Sequence, residues 1–134
     1  MQLYLVRHAE AVPGEPDDLR PLTPNGREQA RRLAARLRQD GVRPAAVLTS
    51  PLLRARETGK LLAKELDSEV LVAEELAPGA TADSVSRVVR GATSEADSVI
   101  AVGHQPDCGR IVAALTGQPE QPFPPAASVA ISLP

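Results

Sequence analysis

The sequence predicts an α/β fold: a three-layer sandwich with a largely parallel central sheet and helices on both faces. Three observations predict it. Short apolar runs rich in β-branched residues alternate with longer segments whose apolar residues recur at helical spacing. Proline and glycine punctuate the joints between them. Two of the apolar runs, Leu3–Val6 and Val99–Val102, lead into the only two histidines of the 134 residues, His8 and His104. Ligands of open α/β sheets bind outside the carboxyl ends of the strands. Two histidines placed at that edge point to one site.

Each element has a local reason. Residues 2–6 read as the first strand, and Pro13, Gly14, Pro16 and Pro21 mark 9–22 as a loop. Thr23 caps a helix with Pro24 at its first position, where a missing N–H costs nothing. Ala30, Leu33, Ala34 and Leu37 form its apolar stripe, and Gly41 ends it. Residues 45–49 are the second strand. Ser50-Pro51 repeats the cap-plus-proline start, with a helix to about residue 66. A short strand at 70–72 follows, then a loop through Pro78 and Gly79 and a weaker helix at 82–91. Residues 98–102 are a strand, and Pro106 opens a helix that Gly117 ends. A proline-rich loop at 119–125 precedes the last strand, 128–133. No linker or repeat divides the chain, so residues 1–134 are expected to form one domain.

Composition narrows the function. A hydrophobic fraction of 43% supports a packed core, and with one Tyr and one Phe that core must be aliphatic. A net charge of −2 gives a nucleic-acid partner no support. No apolar run approaches the roughly 20 residues of a membrane span. Cys108 is the lone cysteine, so a disulfide within the chain is impossible and a cytoplasmic protein is expected. Cys108 is not a cysteine-phosphatase nucleophile either. That chemistry needs an arginine six residues on, where this chain has Ala114. No His, Cys and carboxylate set lies at metal spacing, since Asp83, Asp97 and Asp107 are scattered. Neither metal nor cofactor is expected.

The residues at the strand ends allow phosphoryl transfer. Arg7 puts a guanidinium beside the His8 imidazole, and Arg54 lies near the start of the helix after the second strand. Arginine grips phosphate oxygens and stays charged. Flanking positive charge is expected to lower the histidine pKa, leaving a neutral imidazole at pH 7 that can attack phosphorus. The second histidine can stabilise the transferring group by hydrogen bonding. The expected chemistry runs through a phosphohistidine intermediate on His8.

Four motifs stand in order: Leu5-Val6-Arg7-His8-Ala9-Glu10, Arg20-Pro21-Leu22-Thr23-Pro24-Asn25-Gly26, Ser50-Pro51-Leu52-Leu53-Arg54-Ala55 with Thr58, and Val102-Gly103-His104-Gln105-Pro106. With them the chain resembles the histidine phosphatase superfamily, in the branch that includes phosphoglycerate mutases, and most resembles its small SixA-type phosphohistidine phosphatases. Each motif alone is common; four in this order are specific. The resemblance implies a phosphoglycerate mutase-like sandwich. It implies His8 as nucleophile, Arg7 and Arg54 as phosphate-binding arginines, and His104 as the second pocket histidine. Arg20 matches an arginine of the SixA-type pattern, although Asp17 or Asp18 is an alternative partner for it. Glu75, or its neighbour Glu74, is the possible general acid.

Two departures bear on substrate. Ala9 stands where phosphoglycerate mutases have glycine, and the stretch between Arg54 and Glu74 is too short for a capping insertion. An open pocket suits phosphohistidine on a protein surface, the expected substrate. A phosphomonoesterase for a small phosphate ester is the alternative enzyme. A non-catalytic phosphate-binding module is the alternative of another class.

Overall fold

Strand β4 (Ser98–Gly103) runs through the centre of a five-stranded sheet in the computed structural model, which describes residues 1–92 and 97–134. β1 (Gln2–Arg7) lies parallel to it on one side and β2 (Val47–Thr49) parallel on the other. β3 (Val70–Val72) adds to β2 in parallel, and β5 (Ser128–Ser132) runs antiparallel on the far side of β1. The order is β3-β2-β4-β1-β5, so the sheet is largely parallel, as expected.

Side chains alternate across each strand, and both faces are buried. Val6, Val47, Ile100 and Val102 pack with Leu33 and Leu37 of α1 (Pro24–Gln39) and Leu62 of α2 (Leu53–Glu65). Leu3, Leu5, Leu48, Val99 and Ala101 pack with Val85 and Val89 of α3 (Ala82–Ala92) and Ile111 of α4 (Asp107–Thr116). Helices therefore cover both faces. The core is aliphatic apart from the buried Phe123. Leu33 is fully enclosed, and truncation to Ala would cost about 2–5 kcal/mol.

The loop after β1 is pinned to α1. Thr23 caps the helix by accepting from the Gly26 N–H at 2.8 Å, while its own N–H donates to the Glu10 carbonyl at 3.0 Å. A Cβ at position 26 would collide with that same carbonyl. Gly26 thus lets the helix start press against the chain two residues beyond His8.

Several strand and helix ends differ from the sequence reading by one residue, and three starts differ for a local reason or by more. β2 begins at Val47 rather than at residue 45. α2 begins at Leu53, because the Ser50 hydroxyl accepts from the Leu52 N–H at 3.2 Å and so closes a turn ahead of the helix. α4 begins at Asp107, and its first turn is held by the Gln105 side chain, which accepts from the Gly109 N–H at 2.8 Å. The 9–22 loop also carries a 3₁₀ turn at Asp17–Leu19 and a bridge between Ala11 and Leu22.

Candidate active site

Register builds the site. Arg7 pairs with Gly103, and the His8 N–H donates to the Gly103 carbonyl at 3.0 Å. The next residue of each strand, His8 and His104, therefore falls side by side. Thr49 pairs with Val102, which sets Ser50 against the same edge. Three adjacent strand ends thus deliver His8, His104 and Ser50 to one place. The two imidazole centroids are 5.1 Å apart and the rings are inclined at 58°.

Hydrogen bonds select the tautomers. His8 Nδ1 lies 2.7 Å from the Ala9 carbonyl oxygen. A carbonyl can only accept, so Nδ1 carries the hydrogen and the neutral ring keeps its lone pair on Nε2. His104 Nε2 lies 2.7 Å from Ser50 Oγ. Ser50 is fully buried, and His104 Nε2 is the one acceptor its hydroxyl hydrogen meets among the described residues, so that hydrogen goes to His104 Nε2. His104 Nδ1 then carries a hydrogen, and that buried atom has no protein partner.

Both histidines are held neutral. The His8 pKa is pushed down to about 4, first by burial and then by Arg54, Arg7 and Arg20, against the Ala9 bond. His104 is pushed down to about 3 by burial first, then by His8 and Arg54. The expected direction holds, but the leading cause is desolvation rather than the flanking arginines.

The arginines are held by backbone and by one carboxylate. Arg7 Nη1 donates to the Phe123 carbonyl at 3.1 Å, so the proline-rich segment braces it. Arg54 Nη1 donates to the Asp17 carbonyl at 2.7 Å, and Nη2 donates to Asp17 Oδ2 at 3.2 Å. Arg20 Nε donates to Asp17 Oδ1 at 3.0 Å. Arg7 Nε and Arg54 Nε are buried without partners. They and His104 Nδ1, likewise without a partner among the described residues, belong to residues that line one cavity of about 420 Å³. That cavity is lined by Arg7, His8, Arg20, Arg54 and His104. A hollow of similar size beside Arg38, Arg43 and Glu65 holds neither histidine. Volume does not locate the site; converging charge and unspent donors do.

Residues 3–78 match the histidine phosphatase superfamily, branch 1. The chain belongs to that superfamily. It is 36% identical to phosphohistidine phosphatase SixA of Escherichia coli K12, over 86% of this chain and 74% of that protein. The structure of the protein histidine phosphatase SixA complexed with tungstate superposes with a TM-score of 0.90 at 33% identity, covering 99% of this chain and 88% of that one. A mycobacterial glucosyl-3-phosphoglycerate phosphatase shares the fold, with a TM-score of 0.75 at 20% identity over 98% of this chain and 89% of that one.

In this histidine phosphatase, Glu74 and Glu75 stand apart from the cavity. Both are exposed on a 3₁₀ turn, and neither lines the pocket. The Glu75 carbonyl accepts from Ser84, which ties the turn to the start of α3. Glu10 and Asp17 are the carboxylates among the lining residues. No α2-to-β3 insertion covers the cavity, since that stretch is spent on α2, a short link and β3. Cys108 is buried, its thiol pushed up to about 12 by desolvation, and so unreactive.

Three positions of this histidine phosphatase have contacts at the site that sequence reasoning did not assign. Ser50 reads as a helix cap, yet its hydroxyl belongs to His104. Thr58 accepts from the Ala9 N–H at 3.0 Å and donates to the Arg54 carbonyl at 2.8 Å, joining the loop after His8 to α2. Asp17 reads as a salt-bridge partner for Arg20, three residues on, and that bridge is present; its second bridge, to Arg54, had no sequence signal.

Proposed function

We propose that this phosphatase takes a phosphoryl group from phosphohistidine on a protein onto His8 and passes it to water. The observation that carries the reading is the His8–Ala9 bond, which leaves Nε2 as a lone pair on a ring that lines one cavity with Arg7, Arg54 and His104. Nε2 attacks phosphorus, and the bond to the leaving nitrogen breaks opposite it. Arg7 and Arg54 balance the charge of the equatorial oxygens, and His104 Nδ1–H donates to one of them. Water then displaces phosphate from His8 through the same arrangement.

Phosphohistidine is favoured over a metabolite ester on two grounds. The relatives named phosphohistidine or protein histidine phosphatases match most of this chain. The exposed Glu75 does not line the cavity, so the acid an alkoxide leaving group needs is not supplied there. The tungstate in one relative is a tetrahedral oxyanion like phosphate.

The test is turnover of a phosphohistidine-bearing carrier domain beside a panel of phosphomonoesters, with rapid quenching of the enzyme. Acid-labile, base-stable phosphate should appear on His8, and His8→Ala should fall to background. A marked preference for a metabolite ester would reject the substrate class. Unchanged turnover in His8→Ala would reject the nucleophile. Phosphate bound but never released, with no turnover of any substrate, would make the chain a binding module.

A further inference from the structure

Two carboxylates line the cavity, and Asp17 is the one bonded to the arginines that line it with the histidines. Glu10 is committed to the start of α1, with Oε1 accepting from the Thr23 hydroxyl at 2.7 Å and Oε2 from the Asn25 amide at 3.3 Å. Asp17 sits at the mouth, its side chain 60% exposed. Oδ1 accepts from Arg20 Nε and Oδ2 from Arg54 Nη2. A carboxylate oxygen has two acceptor positions, so each keeps one unused. The Asp17 charge reaches His104, where it opposes the lowering of the pKa.

We propose that Asp17 accepts the ring N–H of the substrate's phosphohistidine and makes the site selective for phosphorus on imidazole over phosphorus on a hydroxyl. The inference rests on the phosphohistidine reading above. In the reactive substrate one ring nitrogen carries phosphorus and the other carries hydrogen, so the ring is cationic. His8 Nε2 forms its bond to phosphorus as the substrate's N–P bond breaks. The electron pair of that bond returns to the substrate ring, which leaves as neutral imidazole with its N–H still on Asp17. The positive charge passes to the His8 ring, whose Nδ1–H remains on the Ala9 carbonyl. One phosphoimidazolium is consumed and one is formed, and no proton moves. Asp17 faces the leaving ring as Ala9 faces the accepting one.

The same carboxylate opposes other substrates. Arg54 first, and Arg20 after it, hold its pKa below the usual carboxylate range, so Asp17 is ionised and has no proton to give an alkoxide. A substrate with a second anion near its phosphate, such as phosphoglycerate, meets a negative charge at the mouth.

Asp17→Asn, Asp17→Glu and the wild-type chain are to be compared on phosphoimidazole and on p-nitrophenyl phosphate. p-Nitrophenolate leaves without a proton, so that ester reports only on how Arg54 is positioned. Asp17→Asn should lose at least about 10-fold in kcat/KM on phosphoimidazole, the scale of a charge-assisted hydrogen bond. On p-nitrophenyl phosphate it should lose only what the weakened hold on Arg54 costs, so the ratio of kcat/KM on phosphoimidazole to that on the ester should fall at least about 3-fold, and Asp17→Glu should recover part of that ratio. Equal losses on both substrates would overturn the role, since Asp17 would then act only through Arg54. Wild-type protein that cleaves the ester but neither phosphoimidazole nor a phosphohistidine protein would overturn the phosphohistidine reading itself.

Discussion

His104 Nε2 lies 2.7 Å from Ser50 Oγ, and this bond decides which edge of the imidazole carries hydrogen. Ser50 and His104 follow the ends of adjacent strands, so the sheet sets their separation. The Nδ1 edge of His104 is a donor because the serine at Nε2 gives its only hydrogen away.

Ser50→Ala should therefore cost kcat more than folding. His104 loses the bond that holds Nδ1–H, and the rate should fall on the order of 10-fold, the scale of one buried hydrogen bond. Nitrogen-15 NMR of the ring should show the tautomer mixture shifting. A full rate with an unchanged His104 spectrum would mean that Ser50 has no part in setting the tautomer.

Arg54→Lys should lose on the order of 10²-fold in kcat/KM, by analogy with removal of a preorganised charge-stabilising donor. Arg54 spends Nη1 and Nη2 on Asp17 and keeps Nε unspent. A lysine ammonium has no planar fork with which to hold both sides. Full activity in the lysine variant would show that point charge alone suffices.

The histidines also make stability pH-dependent. Unfolded imidazoles bind protons near pH 6.5, whereas folded His8 and His104 resist until about 4 and about 3. Between those limits the unfolded chain holds more protons, so their contribution is intact above about 6.5 and is lost as pH falls toward 4. Denaturant midpoints should fall over that range. The slope should flatten in a His8→Gln, His104→Gln double variant. An equal slope in both proteins would place the titration elsewhere.

Glu75→Gln should change the rate by less than about 2-fold on either a phosphohistidine protein or a phosphomonoester, as for an exposed residue away from the site. A general acid at Glu75, as the resemblance implies, would give a larger effect on the ester. A selective loss on the ester would return Glu75 to the reaction.

Metal removal gives a further check. Among the described residues no three His, Cys, Asp or Glu side chains gather to hold an ion. Activity should survive exhaustive chelation. Loss that a divalent metal restores would overturn the roles given to His8 and His104.

Local chemistry made much of this protein legible in its sequence. Buried parallel strands read as continuous apolar runs, and Leu3–Val6 and Val99–Val102 are such runs. Thr23-Pro24 carries its helix start in the side chains themselves. His8 and His104 stand out because each follows one of these strands. Ser50, Thr58 and Asp17 gave no comparable signal, because hydrogen-bonding side chains have many local uses. Ser50 reads as a cap until His104, 54 residues later, claims its hydroxyl.

By itself the sequence determined the order of strands and helices, the two strand-end histidines and the arginines beside them, since these follow from periodicity and short-range capping. Only the tertiary structure decided which nitrogen of each histidine carries hydrogen, that burial more than charge keeps both neutral, that Asp17 and not Glu75 shares the cavity, and that Arg54 is held from a loop 37 residues away. The reason is physical. Tautomer, desolvation and ion pairing depend on which atoms meet across the sheet edge, and β-strand register brings those atoms together from distant parts of the chain.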